Sequence, residues 1–423
     1  MSGGSTPKKG EEEKYYSDED SGIPFVRVQN LNVDGHLSLN DVKYVNRETH
    51  EGLLNRSKVL QDDLLVKITG VGRMAVASVP PIGFEGNINQ HIARIRTESR
   101  ATSEALAAWL NTDIAETLAK RRSTGGTRPA LDYPALRSIP VILDEQVQKE
   151  LSEAYAQYKQ AEAKASELLA SIDEYLLNEL GISLPPEPEN TIANRCFFTQ
   201  RRDLEQRLDS SFYRREFIEN QRAIYSAKFE VVAIGDLKAD VFQGVGRHLD
   251  ESSDYILLKV KNIKEHGEID FSETESISPS SVVARKLLKY GDIISPFIGE
   301  AIRQQKFSLF NHISERYIVD NNTGVIRFFD AKISPRFAEI ILNSVVVGAQ
   351  LNRRIGGGGV PFLGTHNAKK IFLPVPPPTI QDAIVIKVNA TREDAKRLRL
   401  HAQNHLDSAR RRIEAILLGE VTV

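Results

Sequence analysis

Cysteine is almost absent from this sequence. The single thiol, Cys196, excludes an internal disulfide framework and any multi-cysteine zinc or iron–sulfur site. Long apolar runs are absent as well: no stretch of about 18 uncharged apolar residues occurs, which argues against a membrane-spanning helix. The opening residues, MSGGSTPKKGEEEKYYSDED, lack the apolar core of a secretory signal. Together these absences lead us to expect a cytoplasmic protein. An excess of charge of one sign is also lacking. With 57 acidic and 55 basic residues the formal charge is −2, so no global basic field marks a nucleic-acid binder, and any such contact must be local. Catalytic signatures are missing too. There is no G-x-x-x-x-G-K-[ST] loop and no N-P-P-[YF] tetrapeptide, and Cys196 has no recognisable partner for a nucleophile's role. The expectation is a chain that is not an enzyme and holds no cofactor or metal of its own.

What the sequence does contain is a repeat. Its 423 residues, 41% hydrophobic, suffice for two or three domains with their own cores. The segment IPFVRVQNLNVDGHLSLNDVKYV (23–45) overlays YILLKVKNIKEHGEIDFSETESI (255–277) without a gap, placing Asn30 on Asn262 and Gly35 on Gly267 at an offset of 232. SKVLQDDLLVKITG (57–70) overlays ARKLLKYGDIISPFIG (284–299), matching Asp63 to Asp292 and Gly70 to Gly299 at an offset of 229. GGTRPALDYPALRSIPVILDEQ (125–146) resembles GGGGVPFLGTHNAKKIFLPVPPPTIQ (356–381). Each is followed by a long helical stretch closed by a glycine, Gly181 or Gly419. A period this long excludes a solenoid and implies two tandem domain-plus-helix units. Short β-branched runs between polar turns predict an α+β fold in each unit, with mainly antiparallel sheets. Helices are expected over 103–120 and 335–354, with Ser103 and Ser334 offering N-cap hydroxyls.

The two helical tails carry a coiled-coil rhythm. Val147, Leu151, Ala154, Tyr158, Ala161, Ala165, Leu168, Ile172 and Tyr175 step alternately by four and three. Ile384, Val388, Thr391, Ala395, Leu398 and Ala402 keep that rhythm, and a stutter at Leu406 precedes Ala409, Ile413 and Ile416. Residues 144–181 hold nine acids against three lysines, whereas 380–423 hold eight basic residues against six acids, so the tails complement one another. They are expected to pair as an antiparallel coiled coil, a spacer of roughly 55 Å at 1.5 Å per residue. The expected division is a shortened first domain (1–141), a spacer helix (142–182), a linker (183–193) built on GISLPPEPEN, a second domain (194–378) and a second spacer helix (379–423).

Candidate binding residues follow the repeat. Lys67, Thr69 and Arg73, and in the second unit Arg303, Gln304, Gln305 and Lys306, come after the matched glycine-ended strands. Arg121, Arg122, Thr127 and Arg128, and then Arg353, Arg354 and His366, follow the internal helices. These side chains suit phosphates and base edges. Any solvated loop carries such residues, and recurrence at matched places is what favours DNA. The GGGG run at 356–359 is better read as a loop that lets backbone approach a ligand than as a phosphate cradle. His401 and His405 at i, i+4 have no third metal ligand nearby and read as solvated positions on a coil.

The whole chain resembles the specificity subunit of a type I restriction–modification system. The resemblance is carried by GIPFVRVQNL, DDLLVKITGVGRMAV and RSIPVILDEQVQKEL in the first half. In the second it is carried by RLDSSFYRREF, IGDL, YGDIISPFIGEAIR and KKIFLPVPPPTIQDAIV. It implies two target-recognition domains, each reading one half of a bipartite, interrupted sequence in double-stranded DNA, held apart by the two helices. It implies docking of two copies of a DNA methyltransferase modification subunit, with S-adenosylmethionine on them, and of restriction/translocase subunits that use ATP and Mg. Leu151, Tyr158, Leu168, Ile172, Val388, Leu398, Leu406 and Ile413 are the expected interface positions on the helices. One departure stands out. About 50 residues (191–240) precede the first matched strand of the second unit, against about 22 in the first. The opening of the first recognition domain, with its Gly-Asp turn, is therefore expected to be missing, as from a truncated or misassigned start. A different reading, a scaffold with two β-rich heads that bind something other than DNA, is separable by the salt dependence of duplex binding.

Overall fold

A computed structural model describes the chain apart from residues 9, 11, 142–143, 187, 190, 192–195, 197, 199, 202–203, 205–208, 357–358 and 422–423, and the side chains of 148 and 417. The centre of the GGGG run, the first two residues of RLDSSFY, the Ile-Leu pair of RSIPVILDEQ and part of the linker thus lie outside the described residues. The chain divides into two units, Met1–Ala165 with Lys396–Val423, and Ser166–Ala395. Each unit contains part of both long helices, Glu145–Leu180 and Pro378–Leu417.

The first unit holds two sheets. In one, Ser2–Gly3, Ile92–Ile95, Leu64–Lys67 and Ala77–Ser78 lie side by side in that order, all antiparallel. The other has five short strands, including a parallel pairing of Ile23–Val26 with Glu85–Ile88. The second unit repeats the plan. Ala239–Gln243, Thr323–Phe328, Ile293–Pro296 and Ser308–Leu309 form an antiparallel sheet. Ile256–Leu258 runs parallel to Tyr317–Val319. The second unit alone adds a strand pair among the described residues, Val231–Ala233 against Phe372–Pro374.

The reason the same residue types recur at constant spacing is visible in their hydrogen bonds. The Asn30 side chain accepts from the Arg27 amide at 2.9 Å and donates to the Asn40 carbonyl at 3.1 Å. Asn262 accepts from the Lys259 amide at 2.9 Å and donates to the Asp270 carbonyl at 2.8 Å. Each amide stands in for a missing strand neighbour in a buried turn, where an unpaired backbone group would be costly. Asp63 accepts from the Leu60 amide at 2.9 Å and Asp292 from that of Lys289 at 2.7 Å, closing the same acidic turn before the matched strand.

The internal helices differ from expectation in two ways. Ser103 is buried and donates to the Asp62 carbonyl, so the N-cap is Ser99, whose hydroxyl accepts from the Thr102 amide. Ser334 caps its helix, accepting from the Phe337 amide. Neither helix is continuous: Arg100–Leu110 is followed by Asp113–Arg122, and Pro335–Leu342 by Val345–Arg354. The cause is an asparagine at each break. Asn111 bonds both the amide and the carbonyl of Ala77, and Asn343 bonds both groups of Phe307, tying one helix end to the strand Ala77–Ser78 and the other to the residue just before the strand Ser308–Leu309. Thr112 then caps the next helix through the Ala115 amide.

In the first unit the long helices run antiparallel. Val147 and Leu151 share a core with Ile413, while Ala154, Tyr155 and Tyr158 pack with Ala402 and Leu406. Arg412 bridges Glu150 at 2.7 Å and Arg399 bridges Glu162 at 3.0 Å, so numbers rise on one helix as they fall on the other. In the second unit Leu176, Leu180, Ile384 and Val388 lie in one core, with Ile172 packed against it. Leu168 is half-buried. Leu398 departs from the expected seam at 36% exposure: Ala395 and Ala402 are buried, and between them it is Arg399 that faces the partner helix.

Candidate nucleic-acid interface

At one end of each main sheet, two loops are joined by main-chain hydrogen bonds. In the first unit the strand Leu64–Lys67 continues into Ile68, whose carbonyl accepts from Leu131 at 2.8 Å, and Gly70, whose amide donates to Pro129 at 3.0 Å. Thr124 and Ala130 exchange amide-to-carbonyl bonds of 2.9 and 2.8 Å, closing a hairpin with an exposed tip at 125–128. In the second unit Leu363 donates to Phe297 at 3.0 Å and Gly299 to Pro361 at 2.9 Å. Gly356 and Phe362 exchange bonds of 2.9 and 2.8 Å. Gly70 and Gly299 take φ of 126° and 94°, a left-handed conformation that a side chain would strain, which explains the match of these two glycines.

A third turn lies at the same end of each sheet, preceding the strand that pairs with the loop-bearing one. It comprises Asn89, Gln90 and His91 in the first unit and Asp320, Asn321 and Asn322 in the second. The Asn89 amide donates to Val26 and that of Asp320 to Leu258, both at 3.0 Å. Asp320 is buried, its carboxyl pushed above the usual range by desolvation, and it accepts from the Thr323 hydroxyl at 2.8 Å. Asn321 and Asn322 are exposed. Burial, and then the charge of Arg128, push the pKa of His91 below the ordinary histidine value. The His91 ring and the Arg128 guanidinium are thereby electrostatic neighbours beside the hairpin.

The side chains singled out from sequence divide sharply. Arg121, Thr127 and Arg128 are exposed in the first unit, and Arg303, Gln304 and His366 in the second. The Arg303 guanidinium pairs with Glu300 at 3.2 Å, both groups in solvent. Thr69 and Arg122 are half-buried, the latter donating to Ser138 Oγ at 2.7 Å and to the Leu118 carbonyl at 3.2 Å.

The remainder face inward. Lys67 is buried and donates to the Val71 carbonyl at 2.7 Å, with its pKa lowered by desolvation, so it supports the loop from beneath. Arg73 grips the internal helix through Asp113 (2.8 Å), Glu116 (3.0 Å) and the Asn111 carbonyl (2.6 Å). Gln305, at φ 50°, donates to the Leu342 and Ser344 carbonyls. Lys306 is half-buried, 3.7 Å from Glu265. Arg353 and Arg354 are buried. Arg353 lies 4.1 Å over the Phe212 ring and donates to the Phe212 carbonyl and to Gln221 on the helix Arg215–Tyr225.

Sequence reasoning missed the third turn. Its signal was a polar Asp-Asn-Asn between two strand runs, YIV and TGVIRF, and, near it, Arg247, which pairs with Glu275 at 2.9 Å on the exposed side. Among the described residues no group of three or more His, Cys, Asp or Glu is arranged to hold a metal, and no helix is long and apolar enough to cross a membrane.

Compared with known proteins, no protein-family model and no curated protein matches the chain. Among solved structures it is similar to chains of type I restriction–modification systems, specificity subunits among them. One, from a structure addressing assembly and conformational transition of the type I R-M system, is 12% identical with a TM-score of 0.44, covering 94% of this chain and 90% of that one. The S subunit from M. genitalium is 11% identical at a TM-score of 0.39, covering 96% and 92%. The HsdS subunit from Thermoanaerobacter tengcongensis is 11% identical at 0.34, covering 98% and 93%.

Proposed function

We propose that this chain is the non-catalytic, sequence-reading subunit of a type I restriction–modification complex. Each unit reads one half of a bipartite, interrupted target in double-stranded DNA. The two long helices set the gap and dock two modification subunits, which supply S-adenosylmethionine and methyl transfer; restriction/translocase subunits bring ATP and Mg. One observation carries the reading: the same three-loop end, with the same main-chain bonds, is built twice in one chain. Two copies of one frame with different tips suit a target with two different halves. Within that frame the reading groups are Thr127 and Arg128 in the first unit, and Arg303, Gln304, Asn321 and Asn322 in the second. Arginine pairs bidentately with guanine, and asparagine or glutamine with adenine, each contact worth about 1–3 kcal/mol of discrimination.

The test is selection from random duplex DNA by the complex assembled with its modification subunits, using wild type and loop variants. Arg303→Ala with Gln304→Ala should relax one half-site and leave the other intact; Arg128→Ala should do the reverse. Relaxation of both halves by either variant would reject independent readers. Binding insensitive to salt, or no enrichment at all, would favour a scaffold for another partner.

A further inference from the structure

The edge strand of each main sheet leaves the sheet by the same route. After Ser2–Gly3, the Gly4 amide donates to the Ile92 carbonyl and the Ser5 amide to that of Ile88, both at 3.2 Å. After Ala239–Gln243, the Gly244 amide donates to Thr323 at 3.1 Å and the Val245 amide to Val319 at 3.0 Å. Ile88 matches Val319, and Asn89 matches Asp320, at an offset of 231, so both segments cross the third turn of their own unit at one place. Glycine is required at each crossing. A Cβ on Gly4 would collide with the carbonyl oxygens of Ile88 and Asn89, and one on Gly244 with those of Val319 and Asp320.

What gathers at the crossing is positive charge. In the second unit the Lys286 ammonium donates to the Gly244 carbonyl at 2.8 Å. Arg247, three residues past the crossing, donates to Glu275 at 2.9 Å, and Lys259 pairs with the same carboxylate. The charges of Arg247 and Lys259 both act on Asp320 in the third turn, which places them beside it. Among these groups cations remain in excess even with Asp320 ionised. Lys259 is enclosed, with 11% of its side chain exposed, whereas Arg247 is 47% exposed and is the cation an incoming anion meets. In the first unit Ser5, Thr6 and Lys8 are exposed over the corresponding stretch, and the Gln90 amide of the third turn donates to the Thr6 hydroxyl at 3.5 Å.

We propose that this crossing is a phosphate clamp, in which Arg247, and Lys8 in the first unit, bind backbone phosphates of the duplex beside each half-site. The inference rests on the DNA reading proposed above and adds a role that the loop tips do not fill. Phosphate contacts fix register and orientation and carry no base information directly. A segment pinned by glycine against the sheet end holds such a contact in place whatever the neighbouring tips display.

The test measures binding of the selected target duplex by the complex assembled with its modification subunits, over a range of salt. Arg247→Gln should reduce the slope of log affinity against log salt by about one and weaken binding roughly fivefold at about 0.15 M salt, with base preference in both half-sites unchanged. Arg247→Lys should keep the slope, and Lys8→Gln should repeat the loss on the other half-site. Neutral methylphosphonates placed singly along the duplex then locate the contact: the position that costs wild type about fivefold should cost Arg247→Gln nothing. An unchanged slope in Arg247→Gln, altered base preference, or equal methylphosphonate losses in wild type and variant would each overturn the clamp while leaving the DNA reading intact. Wild type that binds no duplex in a salt-dependent way would remove the reading itself, and the clamp with it.

Discussion

The matched ion pairs of the two units form an internal control on burial. Arg327 grips Asp292 through two bonds of 2.7 Å, with side-chain exposures of 9% and 1%, and also donates to the Leu287 carbonyl at 2.8 Å. The counterpart, Arg96 and Asp63, is a single 3.5 Å approach with Arg96 62% exposed. Arg327→Met leaves the Asp292 carboxylate enclosed without its cation, at a cost of about 3–5 kcal/mol. Arg96→Met removes an exposed pair and costs about 0–1 kcal/mol. For a unit of this size about 2–4 °C is lost per kcal/mol, so the second unit's melting transition should fall by roughly 6–20 °C and the first unit's by less than about 4 °C. Calorimetry of the full chain, with hydrogen exchange to assign each transition, reads both. Adding Asp292→Asn to Arg327→Met should restore most of the loss, since no charge is then stranded, while the amide oxygen still meets the Lys289 N–H. Equal effects of the two arginine variants, or no rescue by the double variant, would refute the assignment of these energies to burial.

Other expected outcomes follow the same logic. Leu406→Asp, at a buried position between the long helices, should cost the first unit about 3 kcal/mol or more, whereas Leu398→Asp should cost under about 1 kcal/mol; urea titration of both variants checks this. His36 bonds Asp34 at 2.5 Å, which raises its pKa. The resulting stability is therefore full below the unfolded value near about 6.5 and is lost as pH rises through the higher folded one. His36→Gln should remove that part of the stability–pH profile above about pH 6, as measured by denaturation midpoints at several pH values. Arg128→Lys should retain phosphate attraction and lose any bidentate base contact, so affinity for random duplex should stay within about threefold while preference within one half-site declines, by competition binding.

The repeat was legible because it is written in residues that the backbone demands. Asn30 and Asn262 supply amide bonds to a turn, Asp63 and Asp292 cap one, and Gly70 and Gly299 hold a positive φ. Each such need admits one or two residue types, so spacing survives in the text of the chain. The antiparallel pairing of the helices was legible for a similar reason, in a seam of small and branched side chains. The break at Asn111 was hidden, because SEALAAWLNTDIAETLAK is periodic throughout and the break depends on bonds to Ala77, 34 residues earlier. The fate of the arginines was hidden as well. Arg121 and Arg122 read like Arg353 and Arg354, yet the second pair is buried around Phe212, which the turn Ser210–Tyr213 brings in ahead of the helix Arg215–Tyr225. Local sequence reports the need for a cation and leaves open whether a remote segment will cover it.

The bonds that join the two loops at each sheet end run between amides and carbonyls, and no side chain takes part in them. Their geometry is therefore indifferent to what the intervening tips display. Thr-Gly-Gly-Thr-Arg in one unit and a glycine run leading to Val-Pro-Phe in the other hang from the same four main-chain links. A frame of this kind separates inheritance of shape from inheritance of content: past Gly125, whose φ of 91° a side chain would strain, the tip residues 126–128 are open to exchange, by mutation or recombination, without refolding cost to the sheet beneath. Grafting residues 126–128 between relatives that keep the flanking Gly125 and Pro129 should thus transplant surface chemistry as a cassette.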